Sequence, residues 1–119
     1  MPHMTSALAR VRELCLALPE TYEMLSHGEP TFRVGKKQFA MFASAATHHG
    51  SGRDSVWVKS THMVQATLVQ ANPDRCFLPP YVAHLGWLGL WLDAVADWDE
   101  VADLLHDGYC LVAPKRLLR

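Results

Sequence analysis

The sequence predicts an α+β fold with two layers, in which helices pack on one face of a curved antiparallel sheet. Two observations support this class. Short alternating runs follow one another across hairpin-length turns, and three longer stretches carry apolar residues at helical spacing. The predicted order is one helix, three or four strands, a second helix, one or two strands and a third helix. A chain of 119 residues is expected to form a single domain over residues 1–119.

The first helix is expected to follow a cap at Thr5 or Ser6 and to end at Pro19. A short strand is predicted next, over Thr21 to Leu25. Two further strand-like runs, Thr31 to Val34 and Gln38 to Ala43, are joined by Gly-Lys-Lys and predict a hairpin with lysines at its exposed tip.

Residues 44–54 are small and polar and predict a loop, so we interpret His48 and His49 as a solvated pair. The run from Ser55 to Ser60 then alternates and places Trp57 and Lys59 on the same face of a strand. A second helix is predicted over Thr61 to Ala71, where Asn-Pro stops it.

The stretch from Phe77 to Asp93 is the most distinctive part of the chain. Its two prolines prevent a helix, and from Gly86 onward leucines alternate with tryptophans, which predicts a strand with a leucine core face. On the other face Gly89 lies between Trp87 and Trp91 and leaves a gap for a backbone, a side chain or a flat ligand. The alternative is that these tryptophans are simply covered by another part of the fold.

The third helix is predicted to begin at Asp97, with Glu100 reaching back as in a capping box. Its expected buried stripe consists of five residues: Trp98, Val101, Leu105, Tyr109 and Val112. Acidic residues on this helix are interpreted as a solvated face that suits the helix dipole.

Composition limits the class of function. The net charge of −1 argues against a strongly polyanion-binding protein, but residues 30–92 carry six basic and two acidic residues and are the basic part of the chain. Three cysteines without a C-x-x-C spacing predict neither disulfides nor a zinc site. No apolar run is long enough for a membrane span, and no basic start is followed by an apolar region of the kind found in signal peptides. We therefore expect a soluble cytoplasmic protein.

Motifs of catalysis are absent from the sequence. No His-Glu-x-x-His pattern, nucleophile elbow or glycine-rich phosphate loop is found. We therefore expect a non-enzymatic protein with no metal and no cofactor.

Two sets of residues remain as candidates for binding. The nucleic-acid set combines cations for phosphates with tryptophans for stacking: Arg33, Lys36, Lys37, Lys59, Arg75, Trp57, Trp87, Trp91, Lys115 and Arg116. A weaker ligand-binding set lies beside turns and comprises His27, Tyr81 and His84. Ordinary solvated charges and packed aromatic rings are the alternative for the first set, and structural histidines for the second.

Several segments in order along the chain resemble the MmcQ/YjbR family. They are His27-Gly28-x-Pro30-x-Phe32-Arg33-Val34-Gly35-x-Lys37-x-Phe39-Ala40, the diproline-Tyr81 segment to Gly86-Trp87, Leu92-Asp93 with Asp97-Trp98-Asp99-Glu100-Val101, and Tyr109-x-Leu111-Val112-Ala113-Pro114-Lys115-Arg116-Leu117. The resemblance implies a CyaY-like α+β domain with a curved antiparallel sheet. It also implies the label of a DNA-binding protein, without a shared active site.

The leading hypothesis is therefore DNA binding through a basic sheet face and the hairpin tip. One alternative is a protein-interaction or homo-oligomerisation module that uses the Trp87/Gly89/Trp91 face. The other is a small-ligand-binding domain near His27, Tyr81 and His84.

Overall fold

The structure of the protein, a computed structural model, describes residues 6–47, 49 and 52–118. These residues form three α-helices and six strands, with two short 3-10 turns after β5 and after α3. The helices are α1 (Ala7–Leu16), α2 (His62–Ala71) and α3 (Trp98–Val112). The strands are β1 (Thr21–Ser26), β2 (Glu29–Val34), β3 (Lys37–Ala43), β4 (Ser55–Val58), β5 (Cys76–Phe77) and β6 (Leu88–Trp91).

All six strands belong to one antiparallel sheet in the order β1-β2-β3-β4-β6-β5. The α+β class, the curved antiparallel sheet and the order of helices and strands are those predicted from the sequence, and this prediction is confirmed. Among the described residues β5 pairs with β6 alone, so the short segment before the two prolines forms one edge of the sheet. Strand β1 forms the other edge.

Polar side chains cap all three helices at their N-termini. The hydroxyl of Ser6 accepts from Ala9 N at 3.1 Å and that of Thr61 from Val64 N at 3.2 Å. The Asp97 carboxylate accepts from two backbone amides of the first turn of α3. The predicted capping box is wrong in one respect, because the Glu100 carboxylate is held by Arg75 at 3.3 Å instead of reaching back to Asp97.

The main core lies between the helices and one face of the sheet. The paired strands β4 and β6 supply Val56, Val58, Leu88 and Leu90, each at most 1% exposed. From the helices come Val11, Cys15, Val101, Leu105 and Tyr109, and partly buried residues of α2 pack against the same cluster. Burial of these apolar side chains drives the packing of all three helices on this face.

A β-bulge between β2 and β3 gives β3 one residue more than its partner at this point. Phe32 pairs with Ala40, whereas Arg33 pairs with Gln38, so Phe39 is the extra residue. Phe39 and Ala40 both join the core under the helices. Gln38 consequently lies on the opposite face of the sheet, together with Met41.

Helix α3 crosses the sheet at close range where it carries Gly108. A Cβ atom at this position would lie 2.8 Å from the backbone oxygen of Lys59 and 3.4 Å from that of Phe39. Lys59 itself is fixed, because its N–H donates to Phe39 O at 2.8 Å. The glycine that weakens the helix by propensity is therefore what allows the helix to approach the strands.

We expect Gly108→Ala to lower the free energy of unfolding by about 1–2 kcal/mol, because overpacking against fixed backbone outweighs the better helix propensity of alanine. Urea unfolding followed by circular dichroism measures the difference. The matched control is Asp107→Ala at the exposed neighbouring position, which we expect to change stability by less than about 0.5 kcal/mol. A Gly108→Ala variant as stable as the native chain would contradict the close approach.

Candidate ligand cavity and basic sheet end

The face of the sheet opposite the helices carries a second apolar cluster. Its buried members are Ala43, Trp57 and Trp87, and Met41, Phe77 and Val82 pack against them. Trp57 is 3% exposed and Trp87 is 6% exposed. The central strands of the sheet are thus covered on both faces, and these two indoles do not offer an open stacking surface.

The gap above Gly89 is filled by a side chain of the same protein. A Cβ atom at Gly89 would lie 2.4 Å from ring atoms of Phe77, and that ring stacks on Trp91 with centroids 4.1 Å apart. The guanidinium of Arg53 also lies 4.1 Å from the centre of the Trp91 ring. Of the occupants that the sequence left open, a side chain takes the place: the Phe77 ring covers Gly89 and Trp87 is buried, while Trp91 is partly exposed.

A cavity of about 670 Å³ lies beside this cluster, and we call it the aromatic cavity. Its floor is formed by Gln38, Met41, Trp57 and Trp87 of the sheet face. The indole N–H of Trp57 donates to the Ser55 hydroxyl at 3.2 Å, so its hydrogen bond is made within the protein. The residues of the floor are therefore mainly apolar, with the Gln38 amide as the polar group.

The rim of the aromatic cavity comes from three separate loops. The turn after β1 supplies Ser26 and His27, the loop between β3 and β4 supplies His49, and the segment after the two prolines supplies Tyr81 and Val82. The His49 ring lies 6.1 Å from the Trp57 ring and 6.5 Å from the Tyr81 ring, edge-on to both. The volume is in the range of roughly 300–1,000 Å³ that is common for small-molecule sites.

His27 is placed at the rim by a two-residue hairpin turn. His27 and Gly28 both have positive φ angles, 53° and 80°. Two consecutive positive φ values are the requirement of the type I′ turn, which matches the twist of the flanking strands. The strands β1 and β2 on either side pair up to Ser26 and Glu29, so the turn holds His27 beside the floor.

Tyr81 is held at the rim by a strained turn. Its φ angle is 71°, and the N–H of Val82 donates to the oxygen of Pro80 at 2.8 Å across it. A hydrogen bond between residues i and i+2 with positive φ in the middle defines the classic γ-turn, which is rare because it is strained. The Tyr81 side chain is 74% exposed, so burial of its ring does not account for the strain.

The described residues at the start of the loop that carries His49 are held by carboxylate contacts. Glu29 is 1% exposed, and its carboxylate accepts from the N–H of Ser44 at 2.8 Å and the hydroxyl of Thr47 at 3.2 Å. At the other end of the loop the Asp54 carboxylate accepts from Ala45 N at 2.7 Å. His49 consequently packs beside two aromatic rings, which corrects its interpretation as a solvated residue, while His48 lies outside the described residues.

Four of the predicted nucleic-acid residues lie together, and we call them the basic sheet end: Arg33, Lys36, Lys37 and Lys59. Arg33 pairs with Gln38 near the start of β3, and Lys59 follows the last residue of β4, whose antiparallel pairing brings it to the same end. Arg33 donates to Gln38 Oε1 at 3.3 Å and to the Thr31 hydroxyl at 3.2 Å. The sequence prediction of a basic surface thus corresponds to one compact part of the molecule.

Two other predicted cations are engaged in ion pairs. Arg75 contacts Glu100 at 3.3 Å, and Arg116 contacts Glu20 at 2.6 Å. The hydrogen bond from Arg116 lowers the pKa of the Glu20 carboxyl, and the hydrogen bond to Glu100 raises the pKa of Arg75. Lys115 is exposed just beyond the end of α3.

The ligand-binding set of the sequence analysis is divided by the structure. His27 and Tyr81 line the aromatic cavity, whereas His84 is not among its described lining residues. The backbone oxygen of His84 instead accepts from His62 Nε2 at 2.9 Å. The sequence analysis missed five lining residues: Ser26, Gln38, Met41, His49 and Val82. The one signal in the sequence was that Ser26 and Val82 are chain neighbours of the predicted residues His27 and Tyr81.

The thiols do not lie at the aromatic cavity. Burial raises the pKa of the Cys76 thiol to about 11 and that of Cys15 further, so both are held as neutral thiols. Within the described ranges no group of three histidine, cysteine or acidic residues is arranged to hold a metal ion. Nor does any helix in the described part of the chain have the length and apolarity to cross a membrane.

The fold and these site positions can be compared with known proteins. The YjbR family model matches residues 16–111, which is most of the chain. The chain therefore belongs to the YjbR family, as its motifs predicted. No curated protein matches it.

A solved structure with a similar fold is that of protein DR2400 from Deinococcus radiodurans, which contains a DUF419 domain. The match has a TM-score of 0.73 and 20% sequence identity, and covers 86% of this chain and 75% of that one. At this level of identity the similarity concerns the fold. It supports the same arrangement of sheet and helices. The chemistry of the aromatic cavity is argued from the residues of this chain alone.

The strain at Tyr81 can be tested with two variants that both remove the ring. We expect Tyr81→Asn to leave stability unchanged or slightly raised, because asparagine tolerates the left-handed region, and Tyr81→Val to be less stable than Tyr81→Asn by about 1–2 kcal/mol. Thermal and urea unfolding of the two variants give the comparison. Equal stability of the two variants would mean that the turn relaxes without cost.

Proposed function

We propose that this protein acts by binding a small planar organic ligand in the aromatic cavity, rather than by catalysing a reaction. The observation that carries the proposal is the aromatic cavity itself: a volume of about 670 Å³ with two buried indoles in its floor and a strained, exposed tyrosine at its rim. Apolar pockets with a few convergent polar groups are the usual form of ligand sites.

The lining indicates the chemistry of the ligand. Flat rings of Trp57 and Trp87 favour a flat ring in the ligand, because offset or edge-on aromatic contacts are favourable. The Ser26 hydroxyl, the His27 ring and the Gln38 amide supply a small number of hydrogen-bonding groups around it. Among the described residues no carboxylate lines the aromatic cavity, so the lining gives no support to a cationic ligand.

The first test is a screen of planar heteroaromatic compounds by NMR, with the indole N–H signals of Trp57 and Trp87 as reporters. Binding compounds are expected to shift both signals, and Tyr81→Asn should weaken their binding roughly two- to tenfold because one aromatic contact is removed. The control is Leu85→Asn, which removes another exposed apolar side chain near the diproline segment outside the described lining. A screen that shifts neither indole, or equal weakening in both variants, would refute the proposal.

DNA binding is the second candidate, and the basic sheet end favours it. Lys36 and Lys37 are exposed at the hairpin tip, and no carboxylate of the described residues forms an ion pair with them or with Lys59. Lysines placed in this way contact phosphates without reading sequence. The bases of a duplex stay paired and stacked, so this mode of binding rests on contacts between the lysines and the phosphate backbone.

DNA binding predicts a salt-dependent affinity that depends on the hairpin tip. In a titration of a labelled DNA duplex over a salt series, each phosphate that the protein neutralises contributes about 0.9 to the log–log slope, so Lys37→Glu should make the slope shallower by about that amount. Arg10→Glu is the control, because Arg10 lies over the Trp98 ring in the helix layer. Absence of binding at low salt, or indifference to charge reversal at Lys36 and Lys37, would remove this candidate.

A further inference from the structure

A second depression adjoins the aromatic cavity, and we call it the lysine groove. It has a volume of about 300 Å³ and shares Gln38 and Trp87 with the aromatic cavity. Its remaining lining residues are Lys37, Lys59, Leu111 and Val112. A ligand that contacts both Gln38 and Trp87 would therefore have one end in the mainly apolar aromatic cavity and the other end beside the two lysines of the lysine groove.

The order of the strands explains why these groups meet. Lys37 begins β3, Lys59 follows the end of β4, and Trp87 precedes β6. Since β3, β4 and β6 are consecutive antiparallel neighbours, these three positions share one end of the sheet. The approach of α3 at Gly108 brings the helix end with Leu111 and Val112 against the same place.

The electrostatics of the lysine groove favour an anion. No carboxylate lines it among the described residues, and the ion pairs formed in the described part of the chain involve neither of its lysines. Arg33 adds a third positive charge beside Gln38 through its 3.3 Å hydrogen bond to Oε1. Because that oxygen accepts from Arg33, the NH₂ group of Gln38 is the part of the amide that remains to donate to a ligand.

We propose that the aromatic cavity and the lysine groove take the two ends of one ligand, and that this ligand is a nucleoside phosphate unit. The inference rests on the proposed function and names its ligand class. The base lies in the aromatic cavity, where every nucleobase offers a flat face to aromatic rings, and the phosphate lies at Lys37 and Lys59. The unit comes either from a free nucleotide or from a single-stranded nucleic acid, because both carry the same base, sugar and phosphate.

The test compares matched ligands by calorimetric titration of the full chain. The probes are thymidine 5′-monophosphate, thymidine, inorganic phosphate and a short oligothymidylate. We expect the nucleotide to bind at least about tenfold more tightly than the nucleoside, because its phosphate makes charge-assisted contacts. Lys37→Gln with Lys59→Gln should remove this difference and leave nucleoside affinity unchanged, whereas Arg10→Gln should leave both unchanged. The same titrations with adenosine and adenosine 5′-monophosphate show whether the preference for the nucleotide holds for a second base.

The outcomes separate this inference from the function on which it rests. Equal affinity for nucleoside and nucleotide, or binding of inorganic phosphate with the full affinity of the nucleotide, overturns the nucleotide assignment. Failure of all nucleosides and nucleotides, when other planar compounds still shift the Trp57 and Trp87 signals, also overturns it and leaves the aromatic cavity as a site for another ligand. If the nucleotide binds more tightly than the nucleoside, the oligothymidylate identifies the source of the nucleoside phosphate unit. Tighter binding of the oligothymidylate than of thymidine 5′-monophosphate assigns the unit to a nucleic-acid strand, and equal affinity assigns it to a free nucleotide.

Discussion

Burial of the central strand pair on both faces is the constraint on which the rest of the structure depends. In β4 every residue is buried. Its valines pack under the helices, while Trp57 lies on the opposite face in the second apolar cluster. An antiparallel sheet can leave one face to water, and then only one face needs to be apolar. Here the second face needs a cover of its own, and the loops provide it.

That cover is the origin of the aromatic cavity. A helix would bury the second face with a continuous apolar stripe, but three loops reach over it and meet imperfectly above Trp57 and Trp87. Where a single ring fits, as Phe77 does over Gly89, the space is filled. Where the loops diverge, the space stays open and is lined by the polar groups that loops carry. The β-bulge contributes as well, because it turns Gln38 toward this side.

Much of the fold could be predicted from sequence because its signals are local. The alternation around Gly89, the capping residues Ser6 and Asp97, and the lysines at a hairpin tip each lie within a few residues of what they determine. The site was harder to predict because it is assembled from positions distant in the chain. The gap at Gly89 was visible in the sequence, but its filling by Phe77 depends on the pairing of β5 with β6. His49 gave no signal, because its place depends on the loop contacts of Glu29.

The turn at Tyr81 bears on how much of the protein has to become ordered when a ligand binds. Two consecutive prolines precede it, and proline has few backbone conformations to lose. The rim of the aromatic cavity is therefore preorganised at Tyr81. A ligand that binds there needs little further ordering of this segment, because the segment loses its conformational entropy already when the protein folds. The protein would then bind as a preorganised receptor more than by induced fit. The backbone of the rim at Tyr81 should nearly superimpose between the ligand-free and the ligand-bound states.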